Sequence, residues 1–342
     1  MFRHLAAAVM ALAVVTATPA EATPGLVPAA DREVVFTADG TTAYGTLHVP
    51  EHRAGQRLRA ALLLPGSGPT DRDGNQPPAS SPDTLAQLAD TLDRDKIATL
   101  RFDKYGTGRT GLGAYQEHPE ELDLPAFVRQ ARAAYESLRD QPETDPHALL
   151  IVGHSEGAMT GLLLGGSVRP RPAGLALLQP QAIRMLDLVA LQLKAQIAEA
   201  TRQGQFTPEQ RRTIDTAIDA AVAALREHRP VETTDLPSPI ARLFEAFQGT
   251  SARFVDSDDA VYPPDTAAAL RPGTDVLLTC GTNDAQVPCA TTNHLTTALR
   301  HARAGGPGRV VLPGADHLMH DADHPDTLAP SVVHALHRLA RR

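Results

Sequence analysis

Ala148-Leu149-Leu150-Ile151-Val152-Gly153-His154-Ser155-Glu156-Gly157-Ala158 is the stretch that decides the fold. Its apolar start, Ala148 to Val152, reads as a strand covered on both faces. Gly153 to Gly157 has the pattern G-x-S-x-G, and a run of small residues, Ala158 to Leu164, reads as a helix. A serine in a sharp turn between a strand and a helix is forced into strained backbone geometry, which pushes its hydroxyl clear of the sheet. Five residues alone are weak evidence; the strand before and the helix after make Ser155 the candidate nucleophile.

Outward from this turn the chain alternates. Glu33 to Pro50 reads as a hairpin around Asp39-Gly40, and Leu58 to Leu64 and Ile97 to Phe102 as strands. Asp83 to Leu92 and Leu124 to Leu138 have helical spacing. Beyond the turn, Ala173 to Leu178, Asp275 to Thr279 and Val310 to Leu312 read as strands, with helices at His294 to Ala302 and Ser331 to Leu339. This rhythm predicts an α/β fold, a mostly parallel central sheet with helices on both faces.

Residues 181–270 break the rhythm. Met185, Leu188, Leu191, Leu193 and Ile197 suit one amphipathic helix. Thr207-Pro208-Glu209-Gln210 is a capping box that starts another, carrying Ile214, Ile218, Val222 and Leu225. A short helix is expected near Ile240 to Phe247. The simplest reading is an inserted helical cap over the ends of the strands, dividing a core of residues 23–180 and 271–342. The alternative is an excursion away from the site.

A serine hydroxyl needs a base to take its proton, and the base needs an acid to orient it. Asp284 follows the strand Asp275 to Thr279, and His317 follows Val310 to Leu312, so both fall at the C-terminal edge where Ser155 lies. The chain order serine, acid, histidine fits a catalytic triad of Ser155, Asp284 and His317. Asp316 is a poorer acid because it adjoins His317. After the preceding strand the sequence reads Gln179-Pro180-Gln181, without a carboxylate. His317, His320 and His324 could also suggest a metal cluster, but a solvated loop around the base explains them more simply. His154 reads as a packed neighbour of the turn. Two backbone donors for an oxyanion are expected, the N–H of Glu156 and that of Ser67 in Pro65-Gly66-Ser67-Gly68-Pro69. The charges of Asp71-Arg72-Asp73-Gly74-Asn75 read as bracing for that loop.

PGSGPTDRDGN, DKYGTGRT, GHSEG, GTNDAQVP and GADH together resemble the bacterial α/β-hydrolases grouped as dienelactone-hydrolase-like or serine-aminopeptidase-like enzymes. The similarity runs from about Glu33 to the C-terminus. It implies the α/β-hydrolase fold and the triad chemistry, with the substrate left open. Members usually carry Arg before the first Gly of the second motif, where this chain has Tyr105. The segment Asp103 to Thr110 is expected to support the turn.

The whole chain sets further bounds. It has 342 residues, of which 42% are hydrophobic and 21% charged, which suits a large buried core rather than disorder. The net charge of -8 argues against nucleic acid or an anionic membrane as partner. Arg3 and His4, the apolar run Leu5 to Val15, and Ala20-Glu21-Ala22 form a signal-peptide pattern over residues 1–22. A secreted protein starting near Thr23, without a stable membrane anchor, is therefore expected. The two cysteines, Cys280 and Cys289, flank Asp284. Outside the cytoplasm they are free to form a disulfide, and two buried thiols are the other reading.

These residues point to a serine hydrolase acting on a small-molecule or acyl ester, with no cofactor and no metal. Aromatic residues make up 4%, without Trp, too few for a wide aromatic platform for polysaccharide. An amidase or peptidase and an acyltransferase would use the same triad. A binding protein on an inactive scaffold is the remaining alternative.

Overall fold

The computed structural model describes residues 25–341. The expected leader and mature start near Thr23 lie outside the described residues. Eight strands form one sheet: β1 (Ala30–Ala38), β2 (Thr41–Val49), β3 (Leu58–Leu64), β4 (Ala98–Phe102), β5 (Thr144–His154), β6 (Gly174–Leu178), β7 (Asp275–Gly281) and β8 (Gly305–Leu312). Their spatial order is β8-β7-β6-β5-β3-β4-β2-β1. The β1–β2 and β2–β4 pairings are antiparallel and the others parallel. Asp39 and Gly40 join β1 to β2, both with positive φ, as a two-residue hairpin turn requires.

Alternate residues of each strand enter opposite layers. Leu62 and Leu64 of β3 pack with α2 (Leu124–Arg139) and α3 (Glu156–Ser167). Ala61 and Leu63 face α1 (Thr84–Asp93) and α10 (Pro330–Ala340). Burying both faces is what a parallel sheet needs, and each buried Leu contributes roughly 1.5–3 kcal/mol relative to exposure. α9 (Asn293–His301) completes the first layer through Leu295 and Leu299.

Between β6 and β7 lie α4 (Met185–Arg202), α5 (Pro208–Arg226), α6 (Ser238–Gln248), α7 (Ala252–Asp259) and α8 (Pro263–Ala268). The capping box at Thr207 and Gln210 is formed in both directions. Two features differ from the sequence expectation. The last two helices, α7 and α8, carry no long apolar stripe to signal them. The expected insertion ran to Leu270, yet Ala267 and Leu270 belong to the main core. The insertion therefore ends near α7, because α8 is packed with the sheet layer. α4 to α7 have a core of their own, in which Leu193, Ile197, Ile214, Ile218 and Phe244 meet. Their apolar faces are buried largely against one another.

Candidate active site

Strand β5 ends at His154 and α3 starts at Glu156, leaving Ser155 alone in the turn with φ 56° and ψ -120°. The left-handed φ is costly for a residue with a Cβ and is held by the packing around it. Gly153 and Gly157 make the turn sterically feasible. A Cβ on Gly153 would run into the carbonyl of Gly157, and one on Gly157 into the carbonyls of Leu64 and Pro65. The Ser155 N–H donates to the Leu178 carbonyl at 3.0 Å, and its own carbonyl accepts from the Gln181 N–H at 3.0 Å. Ser155 is thus tied to the end of β6 on both sides.

The structure brings Ser155, His317 and Asp284 together at the C-terminal edge of the sheet. His317 Nδ1 donates to Asp284 Oδ2 at 2.9 Å, which leaves Nε2 unprotonated to accept from the Ser155 hydroxyl at 3.2 Å. Asp284 Oδ1 accepts from the N–H groups of Gln286 at 2.9 Å and Val287 at 2.7 Å. All three residues are buried. An imidazole held this way can take the serine proton and later release it to a leaving group.

The rivals are placed elsewhere. Asp316 accepts from the His320 N–H and does not reach the His317 ring. Gln179 is held by Thr279, whose hydroxyl donates to Gln179 Oε1 at 2.9 Å. His324 pairs with Asp321. Among the described residues, no three His, Cys, Asp or Glu side chains are placed to hold a metal ion. His154 donates through Nε2 to the His317 carbonyl at 2.8 Å, and its ring lies 4.9 Å from that of His317. Burial, with the neighbouring His317 acting in the same direction, pulls the His154 pKa down to about 3, so this ring stays neutral. Cys280 and Cys289 form a disulfide, closing a loop around Asp284.

One residue with a clear task was not singled out from the sequence. Lys104, just after β4, is buried beside Glu156 and donates to the Gly66 carbonyl at 2.7 Å. In a trans peptide the carbonyl and the next N–H point in opposite directions. Holding the Gly66 carbonyl on Lys104 therefore turns the Ser67 N–H away from Lys104. A Cβ on Gly66 would sit 3.3 Å from the Ser155 Cβ, so this peptide lies directly beside the hydroxyl-bearing turn. Burial lowers the Lys104 pKa, and Glu156 acts against that by favouring the cation. The sequence signal was an unpaired lysine within DKYGTG, at the end of a strand of the parallel sheet.

The bracing expected of Asp71 to Asn75 takes a definite form. Arg72 pairs with Asp103 at 2.6 Å, and Asp71 Oδ1 accepts the N–H groups of Asp73 and Asn75. Tyr105 donates its hydroxyl to the Ala38 carbonyl and packs on Tyr115 and Phe127.

A cavity of about 220 Å³ opens onto Ser155 and His317. Its walls come from the β3–α1 loop, including Ser67, Thr70 and Gln76, from α1, and from Gln286 and Leu318. No residue of the α4–α7 insertion lines it. The insertion stands alongside, where Gln192 donates to the Gln286 carbonyl at 3.1 Å. The expected cap over the site is therefore a flank.

Comparison with known proteins agrees with this architecture. A model of the alpha/beta hydrolase family matches residues 61–331. No curated protein matches. A Butyrivibrio proteoclasticus protein, Est1E, solved with ferulic acid, superposes with a TM-score of 0.53 at 17% identity over 90% of this chain and 99% of that one. A dienelactone hydrolase-like promiscuous phosphotriesterase from metagenomic libraries gives 0.52 at 15% over 92% and 97%. A Pyrococcus furiosus esterase gives 0.52 at 13% over 87% and 89%. At such identities the likeness speaks for the fold alone. With the matched family model spanning most of its length, the chain belongs to the alpha/beta hydrolase family.

Proposed function

We propose that the protein is a serine hydrolase that cleaves carboxylic esters through an acyl-enzyme on Ser155. The observation that carries this reading is the hydrogen-bond chain from Ser155 Oγ through His317 to Asp284. Ser155 attacks the ester carbonyl while His317 Nε2 takes its proton. Asp284 stabilises the imidazolium that results. The developing oxyanion is met by the N–H of Ser67, oriented through Lys104, and the N–H of Glu156 at the start of α3. His317 passes its proton to the leaving alcohol. It then deprotonates a water, whose attack releases the acid.

The cavity, about 220 Å³, is smaller than the roughly 300–1,000 Å³ usual for pockets that take drug-sized ligands, and this favours short acyl or alcohol groups. The solved esterases of the same fold agree with an ester substrate. The test is labelling by a fluorophosphonate probe together with turnover of acyl esters of graded chain length. Labelling and turnover that both disappear in Ser155→Ala are expected. Turnover that survives in Ser155→Ala overturns the acyl-enzyme. Anilides cleaved faster than the matched esters would turn the reading toward an amidase.

We also propose that the protein is exported. The signal-peptide pattern of residues 1–22 and the disulfide Cys280–Cys289 support this. No helix among the described residues is long and apolar enough to cross a membrane. An N-terminal sequence of the mature protein beginning near Thr23 is expected; an intact Met1 on the protein isolated from its source cells overturns it.

A further inference from the structure

Behind the nucleophile lies the turn after β6, Gln179-Pro180-Gln181, in which both glutamines are buried. Gln179 has φ 41°, in the left-handed region that a residue with a Cβ enters only when its surroundings hold it there. Thr279 of β7 supplies that hold. Its hydroxyl accepts from the Gln179 N–H at 3.2 Å and donates to Gln179 Oε1 at 2.9 Å. At the other end of the turn, the Gln181 N–H donates to the Ser155 carbonyl at 3.0 Å. Where this turn sits therefore bears directly on where the nucleophile sits.

Gln181 is held from the insertion. Its Nε2 donates to Asp258 Oδ1 at 2.6 Å, and Asp258 is 0% exposed. Asp258 belongs to Ser257-Asp258-Asp259 at the end of α7, whose three side chains bind three parts of the molecule. Ser257 Oγ accepts from the Leu124 N–H at the start of α2 at 2.9 Å. Asp259 accepts from the Leu186 N–H of α4 at 2.9 Å and from Arg226 of α5 at 2.8 Å. The residues on either side of Asp258 are thus pinned without any help from Gln181, and Asp258 is a fixed post to which Gln181 is tied.

The chemistry of that tie can be separated from charge. Burial, then repulsion from Glu156, pushes the Asp258 pKa up to about 8, so near pH 6 the tie is a hydrogen bond between neutral groups. Asn at this position keeps the acceptor oxygen, whereas Val keeps the bulk close and removes the acceptor.

We propose that Asp258 is a positioning residue for the reaction at Ser155, transmitting the seat of the α4–α7 insertion to the reactive turn through Gln181. It rests on the ester-hydrolase reading and gives the insertion, which does not line the cavity, a part in that reaction. A misplacement of about 1 Å can slow a reaction about a hundredfold. Ser155 keeps its own tie to Leu178, so a smaller loss follows when the tie to Asp258 is cut.

The experiment measures KM and kcat for 4-nitrophenyl acetate at pH 6, with kcat expressed per serine labelled by fluorophosphonate, so that unfolded protein is not counted. Asp258→Val is expected to lower kcat per labelled serine by about tenfold with KM unchanged, and Gln181→Met to do the same. The double variant should be no slower than either single one, because both cut the same tie. Asp258→Asn should keep the wild-type kcat. An unchanged kcat per labelled serine in Asp258→Val confines Asp258 to holding the fold and overturns the proposal. So do losses that multiply in the double variant, or an Asp258→Asn variant as slow as Asp258→Val. Should Asp258→Val fail to fold, the other pair decides: slow Gln181→Met with normal Asp258→Asn supports the tie, and any other result overturns it. Wild-type labelling and turnover beside unaffected variants leave the ester-hydrolase reading standing. Absence of both in the wild type brings down the two together.

Discussion

Lys104 Nζ reaches the Gly66 carbonyl at 2.7 Å and lies 3.7 Å from Glu156 Oε1, joining the two segments that supply the proposed oxyanion donors. One buried lysine thus sets the orientation of one donor peptide and anchors the first residue of α3. Lys104→Met should free the Gly66–Ser67 peptide to rotate and lower kcat by roughly ten- to a hundredfold, less than complete loss of an oxyanion donor. It should also destabilise the protein by about 3 kcal/mol, because Glu156 is left buried without its cation. Adding Glu156→Gln should recover much of the stability without recovering kcat. Steady-state kinetics beside urea unfolding separates the two effects; a double variant with full kcat would refute the positioning role.

Asp284 has both oxygens engaged by donors, Oδ2 by His317 and Oδ1 by the Gln286 and Val287 N–H groups. Asn at this position has one acceptor oxygen and one amide, so an N–H must face a donor or the imidazole tautomer must change. Asp284→Asn should lower kcat by on the order of 10⁴ while changing KM little. Retention of more than a tenth of kcat would show that another group orients His317.

Asp258, at the end of the insertion, is buried close to the reactive turn. Gln181 donates to its Oδ1 at 2.6 Å. Burial, then repulsion from Glu156 and Asp259, pushes its pKa up to about 8 from the ordinary 3.8, against the opposing pull of Gln181 and Lys104. The folded chain therefore holds this proton more tightly than the unfolded chain. The stabilisation is complete below pH 3.8 and is lost as pH rises through about 8. Asp258→Asn should gain stability relative to wild type as pH rises across this window, by at most about 1.4 kcal/mol per unit. Urea unfolding at pH 5, 6.5 and 8 checks it, and parallel pH profiles for the two proteins would contradict it.

His154 has the opposite sign. Burial holds its folded pKa near 3, below the ordinary 6.5, so its contribution is present above pH 6.5 and is lost as pH falls toward 3. His154→Gln should flatten the acid side of the stability profile. An acid limb as steep as that of the wild type would mean that carboxylates alone produce it.

The disulfide Cys280–Cys289 encloses Asp284 in a short loop. Replacing both cysteines by Ser should cost about 2–3 kcal/mol through the entropy of the opened loop. If the bridge also limits Asp284, kcat should fall several-fold with KM unchanged, and reduction of the wild type by dithiothreitol should reproduce the change. Lower stability at unaltered kcat would confine the bridge to a structural role.

Much of the site was legible because its signals are local or follow chain order. The turn around Ser155 combines an apolar strand, two obligatory glycines and a small-residue helix within a few positions. Asp284 and His317 could be placed because a residue just past a parallel strand lies at the sheet's C-terminal edge. That the segment Asp103 to Thr110 supports the turn was legible; that Lys104 carries the task was not, because it depends on the carbonyl of Gly66, at a different strand end.

The insertion draws the same line most clearly. Sequence periodicity by itself determined that α4 and α5 are helices and which of their faces are apolar, since a stripe at helical spacing is written in consecutive residues. Only the tertiary structure decided what those faces cover. Ile197, Ile218 and Phe244 turn toward one another, and the cavity beside Ser155 is walled instead by the β3–α1 loop and the start of α1. The physical reason is that hydrophobic burial has no direction: an apolar stripe specifies that a face must be covered, while the partner that covers it is chosen by packing among distant parts of the chain.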